Sequence, residues 1–81
     1  MIKVVNVTYF DSVCHMEIKK NAVLLKDNPK TMKFHCRNNE LFSHKCTIKK
    51  ENIVNVSELE KTEAIDFLNS CSDLKFYVKS L

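Results

Sequence analysis

Between Met32 and Ile48 apolar and polar positions alternate on either side of a short polar break. Met32, Phe34 and Cys36 alternate with Lys33, His35 and Arg37. Beyond Asn38-Asn39-Glu40, Phe42, His44, Cys46 and Ile48 alternate with Ser43, Lys45 and Thr47. A period of two marks a strand with one wet face, so the stretch predicts a β-hairpin. Opposed residues in an antiparallel pair share a face, so the turn has to align the two even-numbered sets. A two-residue turn would put Phe42 in water. A three-residue turn over Asn38, Asn39 and Glu40 pairs Cys36 with Phe42, Phe34 with His44 and Met32 with Cys46. Asn tolerates the left-handed backbone such a turn needs, and the chain has no Gly to supply it.

The same registration extends outwards. Ile2 to Tyr9 predicts a strand with Val5, Val7 and Tyr9 on one face. A two-residue turn at Asp11-Ser12 would then bring Cys14, Met16 and Ile18 onto that face. Lys20-Asn21 predicts another turn, setting Ile18 against Val23 and Met16 against Leu25. Asp27-Asn28-Pro29-Lys30 predicts a turn because Pro29 cannot donate to a ladder. Lys49 to Asn52 reads as a charged turn and Ile53 to Val56 as a short strand. Ser57-Glu58-Leu59-Glu60 fits a capping box. The helix it opens, about 58–70, carries Ala64, Phe67, Leu68 and Cys71 on the side expected to cover the sheet's apolar face. For 74–80, helix, break and a last strand is favoured, since Leu74, Phe76 and Val78 alternate. One long helix with a heptad seam through Leu74, Val78 and Leu81 is the alternative, and an exposed seam would imply a homodimer. The expected fold class is α+β: one domain over 1–81, with an antiparallel meander of five to seven short strands over 2–56, open or curled into a barrel, packed by one C-terminal amphipathic helix.

Met16-Glu17-Ile18 to Leu24-Leu25-Lys26, then Ile48 through Asn52-Ile53-Val54-Asn55-Val56 and the helix, resembles a small pleckstrin-homology-like domain of the bacterial kind. The resemblance implies a small barrel ended by its helix. The chain is shorter than such domains usually are, and a strand after the helix would depart from the pattern.

Composition narrows the function. At 81 residues the chain can hold one small core, and its length and initial Met read as one complete product. Met1 to Phe10 lacks the apolar run of a signal peptide and no stretch approaches a membrane span, so the expected location is the cytoplasm. Cys14, Cys36, Cys46 and Cys71 lack Cys-x-x-Cys spacing, as reduced core thiols would. Net charge is +3, and Arg37 is the one Arg among thirteen basic residues. With the many Asn and Ile, this is the composition of an AT-rich genome: a low-GC bacterium, its phage or a plasmid.

The candidate sites follow. Lys33, His35, Arg37 and Lys45 share the expected outer face, with Lys19 and Lys20 at the adjoining end. The six could hold an anion, an acidic protein surface or nucleic acid. No aromatic residue interleaves with the hairpin lysines to stack bases. Leu24 and Leu41 are expected to be exposed beside them. His35, Cys36, His44 and Cys46 are zinc-ligand types, but the three-residue turn sets Cys46 opposite Met32, away from Cys36. No metal or cofactor is expected, with Cys36, His44 and Cys46 as the alternative. With no Gly there is no phosphate loop and no nucleophile elbow, and neighbouring Cys and His on one strand face apart. The expectation is a small non-enzymatic binding protein, a phage-, plasmid- or bacterium-encoded regulator or inhibitor of a protein partner. The alternatives are a module for nucleic acid or a small anionic ligand, and a structural homodimer through the C-terminal segment.

Overall fold

The computed structural model describes residues 2–39 and 41–81. The fold is α+β. Five antiparallel strands, β1 (Lys3–Asp11), β2 (Met16–Asp27), β3 (Thr31–Arg37), β4 (Ser43–Lys49) and β5 (Ile53–Glu58), form one sheet in the order β4-β3-β2-β1-β5. A 3₁₀ turn, Lys50–Asn52, links β4 to β5. Helix α1 (Lys61–Asn69) and a C-terminal 3₁₀ helix (Ser72–Ser80) follow.

That link determines the shape. β4 and β5 lie at opposite edges of the sheet. In a flat sheet four strand spacings would hold them about 19 Å apart. The extended chain from Lys49 to Ile53 reaches about 14 Å, so the sheet must curl. Register shifts between Leu24 and Lys26 on β2, and between Thr8 and Tyr9 on β1, allow the bend, because a bulge locally increases twist. Curling turns one face inwards. Val5, Val7, Ala22, Met32, Phe34, Cys36 and Ile48 are buried there, with Tyr9, Leu24, Cys46, Ile53 and Val56 packed against them. Every strand contributes, yet among the described residues β4 and β5 do not pair, so the sheet is not closed into a barrel.

The outer face has its own core. Val4 and Val23 are buried beneath Ala64, Leu68, Cys71, Leu74 and Tyr77. The helix therefore covers the face opposite the one its apolar stripe is expected to cover. Contiguous apolar pairs and runs, Val4-Val5 and Ala22-Val23-Leu24-Leu25, belong to strands buried on both sides. The seam Ala64, Phe67, Cys71, Leu74, Val78 and Leu81 packs into this core, where its apolar side chains are covered by the protein's own sheet.

Three turn predictions are corrected. Lys20-Asn21 is not a turn but the middle of the twelve-residue β2. Its polar side chains have partners in strand geometry: Asn6 Nδ2 donates to Asn21 Oδ1 at 2.9 Å, and the Lys20 ammonium lies 5.3 Å over the Tyr9 ring. The β1–β2 connection is four residues, Ser12 to His15, so Tyr9 pairs with Ile18 while Cys14 and Met16 are exposed. Asp11 Oδ1 holds this loop by accepting the N–H groups of Val13 (2.8 Å) and Cys14 (3.2 Å). His15, at φ 53°, takes the left-handed position that a Gly would ordinarily fill. In the β3–β4 hairpin Cys36 pairs with His44, Phe34 with Cys46 and Met32 with Ile48, a shift of two residues from the expected register. Asn39 supports the longer loop: its Oδ1 accepts the N–H groups of Leu41 (2.8 Å) and Phe42 (3.0 Å). Glu40, part of the expected turn, lies outside the described residues. A two-residue slip keeps every side chain on its face but moves Phe42 out of the strand, where it is exposed.

The capping box does not form, since Ser57 pairs with Asn6 in β5 and Glu60 is the N-cap residue without a side-chain bond. After α1 the chain breaks at Ser70-Cys71, and the tail is a 3₁₀ helix, not a strand or an α-helical extension. Cys71, Leu74 and Tyr77 are buried at intervals of three, the spacing that aligns side chains on a 3₁₀ helix.

Burial on both faces predicts two independent losses. Phe34→Ala on the inner face should cost about 3–5 kcal/mol and Leu68→Ala on the outer face about 2–5 kcal/mol in urea unfolding. A near-neutral result for either would show that its face carries no core.

Candidate functional site

The 3₁₀ tail is tied to the sheet through His35. Tyr77 Oη lies 2.9 Å from His35 Nδ1, and Ser43 Oγ 2.6 Å from Nε2. Ser43 also gives its backbone N–H (3.0 Å) and its hydroxyl (3.2 Å) to Asp73 Oδ2. A carboxylate only accepts, so the Ser43 hydroxyl proton points at Asp73 and Ser43 Oγ accepts from His35 Nε2–H. Nδ1 is then the acceptor for Tyr77. This chain of donors fixes the tautomer of the neutral imidazole. Burial lowers the His35 pKa below its ordinary value, and the Lys45 and His44 charges lower it further, against a raising contribution from Asp73. The carboxylate sits on the serine and not on the imidazole, the reverse of the order in which a Ser-His-Asp triad activates its hydroxyl.

The inner face holds a second constellation. β3 presents Cys36 and β4 presents His44 directly opposite, with Cys46 two residues along the same face. One ligand atom from each lies within 4.8 Å of the other two, and the Cys36 and Cys46 sulfurs are 3.3 Å apart. The hydrogen bond shared by the two sulfurs, with the nearby Lys20 ammonium, pulls the Cys46 pKa down to about 6 while that of Cys36 is pushed up. Burial alone would lower the Lys20 pKa, but the Tyr9 hydroxyl and the sulfur charges hold it above its ordinary value. Lys20, Tyr9, Asp11, His44 and Cys46 border a cavity of about 350 Å³ between the β1–β2 hairpin and β4. His44 Nδ1 is the one buried side-chain nitrogen or oxygen without a hydrogen-bond partner among the described residues.

A third feature lies at the turns. Exposed apolar side chains flank the β1–β2 and β3–β4 connections. Phe10, Val13 and Met16 at the first, and Leu41 and Phe42 at the second, leave 41 to 88% of their surface in water. Phe76 on the 3₁₀ helix is also exposed, and that helix is pinned beside Phe42: Cys71 Sγ donates to the Phe42 carbonyl at 3.5 Å.

The six expected basic site residues are divided. Lys33, Arg37 and Lys45 remain exposed around the tail's anchor, but His35 is only 8% exposed beneath Tyr77. Lys20 points to the inner face, over Tyr9. Lys19 borders a depression shared with Glu58, Glu60 and Glu63, which offset its charge. Leu24, expected to be exposed, packs into the inner core, whereas Leu41 is exposed as expected. The two-residue slip places Cys46 beside Cys36 instead of opposite Met32. Ser43, Asp73 and Tyr77 carry no motif, and only the three-residue spacing from Cys71 to Tyr77 could have marked the last of them.

Comparison of the chain with protein-family models, with curated proteins and with solved structures finds no match, so the resemblance to pleckstrin-homology-like domains gains no support. Among the described residues no helix is long and apolar enough to cross a membrane.

The tail's anchor predicts a pH dependence. His35 is a weaker base folded than unfolded, so the unfolded chain binds more protons between the lowered folded pKa and the ordinary value of about 6.5. Stability therefore rises with pH across that window and is lost as pH falls below about 6.5. Urea midpoints at pH 7.5 and 5.5 should fall for the wild type and fall less for His35→Gln. Tyr77→Phe, which leaves Nδ1 without a donor, should cost about 1–3 kcal/mol at pH 7.5. An equal acid loss in wild type and His35→Gln would remove His35 from the account.

Proposed function

We propose that this is a small non-catalytic binding protein that docks onto a protein partner through its hairpin tips. The observation that carries this reading is the exposure of Leu41 and Phe42 on the β3–β4 connection, around one hollow with Arg37 and Asn39, and of Phe10, Val13 and Met16 around the β1–β2 connection. Large apolar side chains scattered singly need no explanation, but a group of them on loops held by a rigid scaffold suits recognition. The loops are held: Asp11 and Asn39 tie their backbones, and Asp73 fixes Ser43 next to Phe42.

The partner's chemistry follows from the surroundings. Arg37 lies with Asn39, Leu41 and Phe42 around a shallow hollow, and Lys45 is exposed on β4. A complementary surface would offer an apolar knob with acidic groups at its border, the charges adding to encounter rate more than to affinity. The Lys-rich, Arg-poor composition fits an AT-rich phage, plasmid or low-GC bacterial gene, and a regulator or inhibitor of a cytoplasmic host protein is the role we assign within that setting.

The test is capture from a lysate of such a host with the tagged protein. Leu41→Asp with Phe42→Asp should abolish retention of a specific protein that the wild type holds, at least about a tenfold loss. Val54→Asp, an exposed site on β5, should retain it. If the captured material is nucleic acid, released steeply by added salt, or if the double variant binds as the wild type does, the docking surface is wrong.

A further inference from the structure

The inner-face cluster is explained neither by core packing nor by the docking tips. A buried imidazole nitrogen in a packed core is ordinarily hydrogen-bonded, yet His44 Nδ1 has no partner. It sits in a residue flanked by two thiols that approach to 3.3 Å, on a face where apolar side chains fill the neighbouring positions. Thiolates with imidazole form the donor set of soft metal ions. Bonds of about 2.3 Å spread at about 120° set two sulfurs on one three-coordinate ion about 4.0 Å apart, so the pair needs to open by about 0.7 Å. The cavity beside His44 and Cys46 gives an ion access from solvent.

We propose that Cys36, Cys46 and His44 form a three-donor site for a single thiophilic ion, and that the ion is Cu(I). The donor set and the charges select it. Two thiolates with a monovalent ion carry one negative charge, which balances the single net positive charge of Lys20, Lys49 and Asp11 on the cavity wall. A divalent ion would leave an uncompensated positive charge in a half-buried site. A structural zinc site closes with four protein donors, and among the described residues this group comprises three. Binding transfers no electron: Cu(I) forms two sulfur bonds and one nitrogen bond, and the protons still held by the two thiols leave to solvent.

The experiment is anaerobic titration of the reduced full-length protein with Cu(I) against a chromophoric Cu(I) chelator, repeated with Zn(II). One Cu(I) per chain is expected. Cys46→Ser and His44→Gln should each weaken retention at least about tenfold. Cys14→Ser combined with Cys71→Ser, which removes the two thiols outside the site, should leave it unchanged. Circular dichroism establishes that each variant is folded, and X-ray absorption of the loaded wild type should read two sulfurs and one nitrogen, which does not depend on any variant. Zn(II) held in preference to Cu(I) would overturn the ion. No bound metal, or binding indifferent to Cys46 and His44 in folded variants, would overturn the site.

Discussion

The pairing of β3 with β4 in the register Cys36 to His44 is the constraint on which the functional features depend. Face assignment alone does not set it, because a slip of two residues leaves every side chain on the same side. What the slip changes is company. With Cys36 opposite Phe42, an aromatic ring would fill the inner face, and Cys46 would sit at the far end of the strand. With Cys36 opposite His44, Phe42 moves into the connection and into water, and two thiols and an imidazole converge. The exposed tip and the inner cluster are thus two results of one choice, made by how the hairpin closes. Asn39 favours the longer closure by accepting two backbone N–H groups through one side-chain oxygen, bonds that a shorter turn would have left to solvent.

Curl and tail complete the arrangement. The short link between the edge strands bends the sheet until its inner residues cover one another, so this face needs no helix. The helix and the 3₁₀ tail are free to cover the outer face, where Val4 and Val23 lie beneath Leu68 and Leu74. His35 is the point where that cover meets polar backbone and side chains. Its two nitrogens, Tyr77, Ser43 and Asp73 form one directional chain of hydrogen bonds, whose cooperativity specifies a single seat for a tail with little helix propensity. The same bonds hold Ser43, and so the base of the β3–β4 tip, in place.

Much of this was legible in the residues. Alternation in β3 and β4 gave the strands and their faces, Pro29 marked a turn, and Lys49 to Asn52 marked the link. Other signals were present but ambiguous. Lys20-Asn21 has the composition of a turn, and only partners distant in sequence, Tyr9 and Asn6, make it strand. The runs Val4-Val5 and Ala22 to Leu25 carry the mark of strands buried on both faces, which a one-sided meander does not explain. Cys71, Leu74 and Tyr77 repeat every three residues, a period overshadowed by the alternation of Leu74, Phe76 and Val78. Loop length was the least legible property, because it rests on where the Asp11 and Asn39 side chains find donors. His35 reads as a wet residue until the tail that covers it is placed.

Cross-strand NMR distances across the β3–β4 hairpin test this account most directly. Backbone NOEs are predicted to connect Cys36 with His44, Phe34 with Cys46 and Met32 with Ile48 in the reduced, metal-free protein. NOEs connecting Cys36 with Phe42 and Phe34 with His44 would contradict it, returning Phe42 to the inner face and separating Cys46 from Cys36.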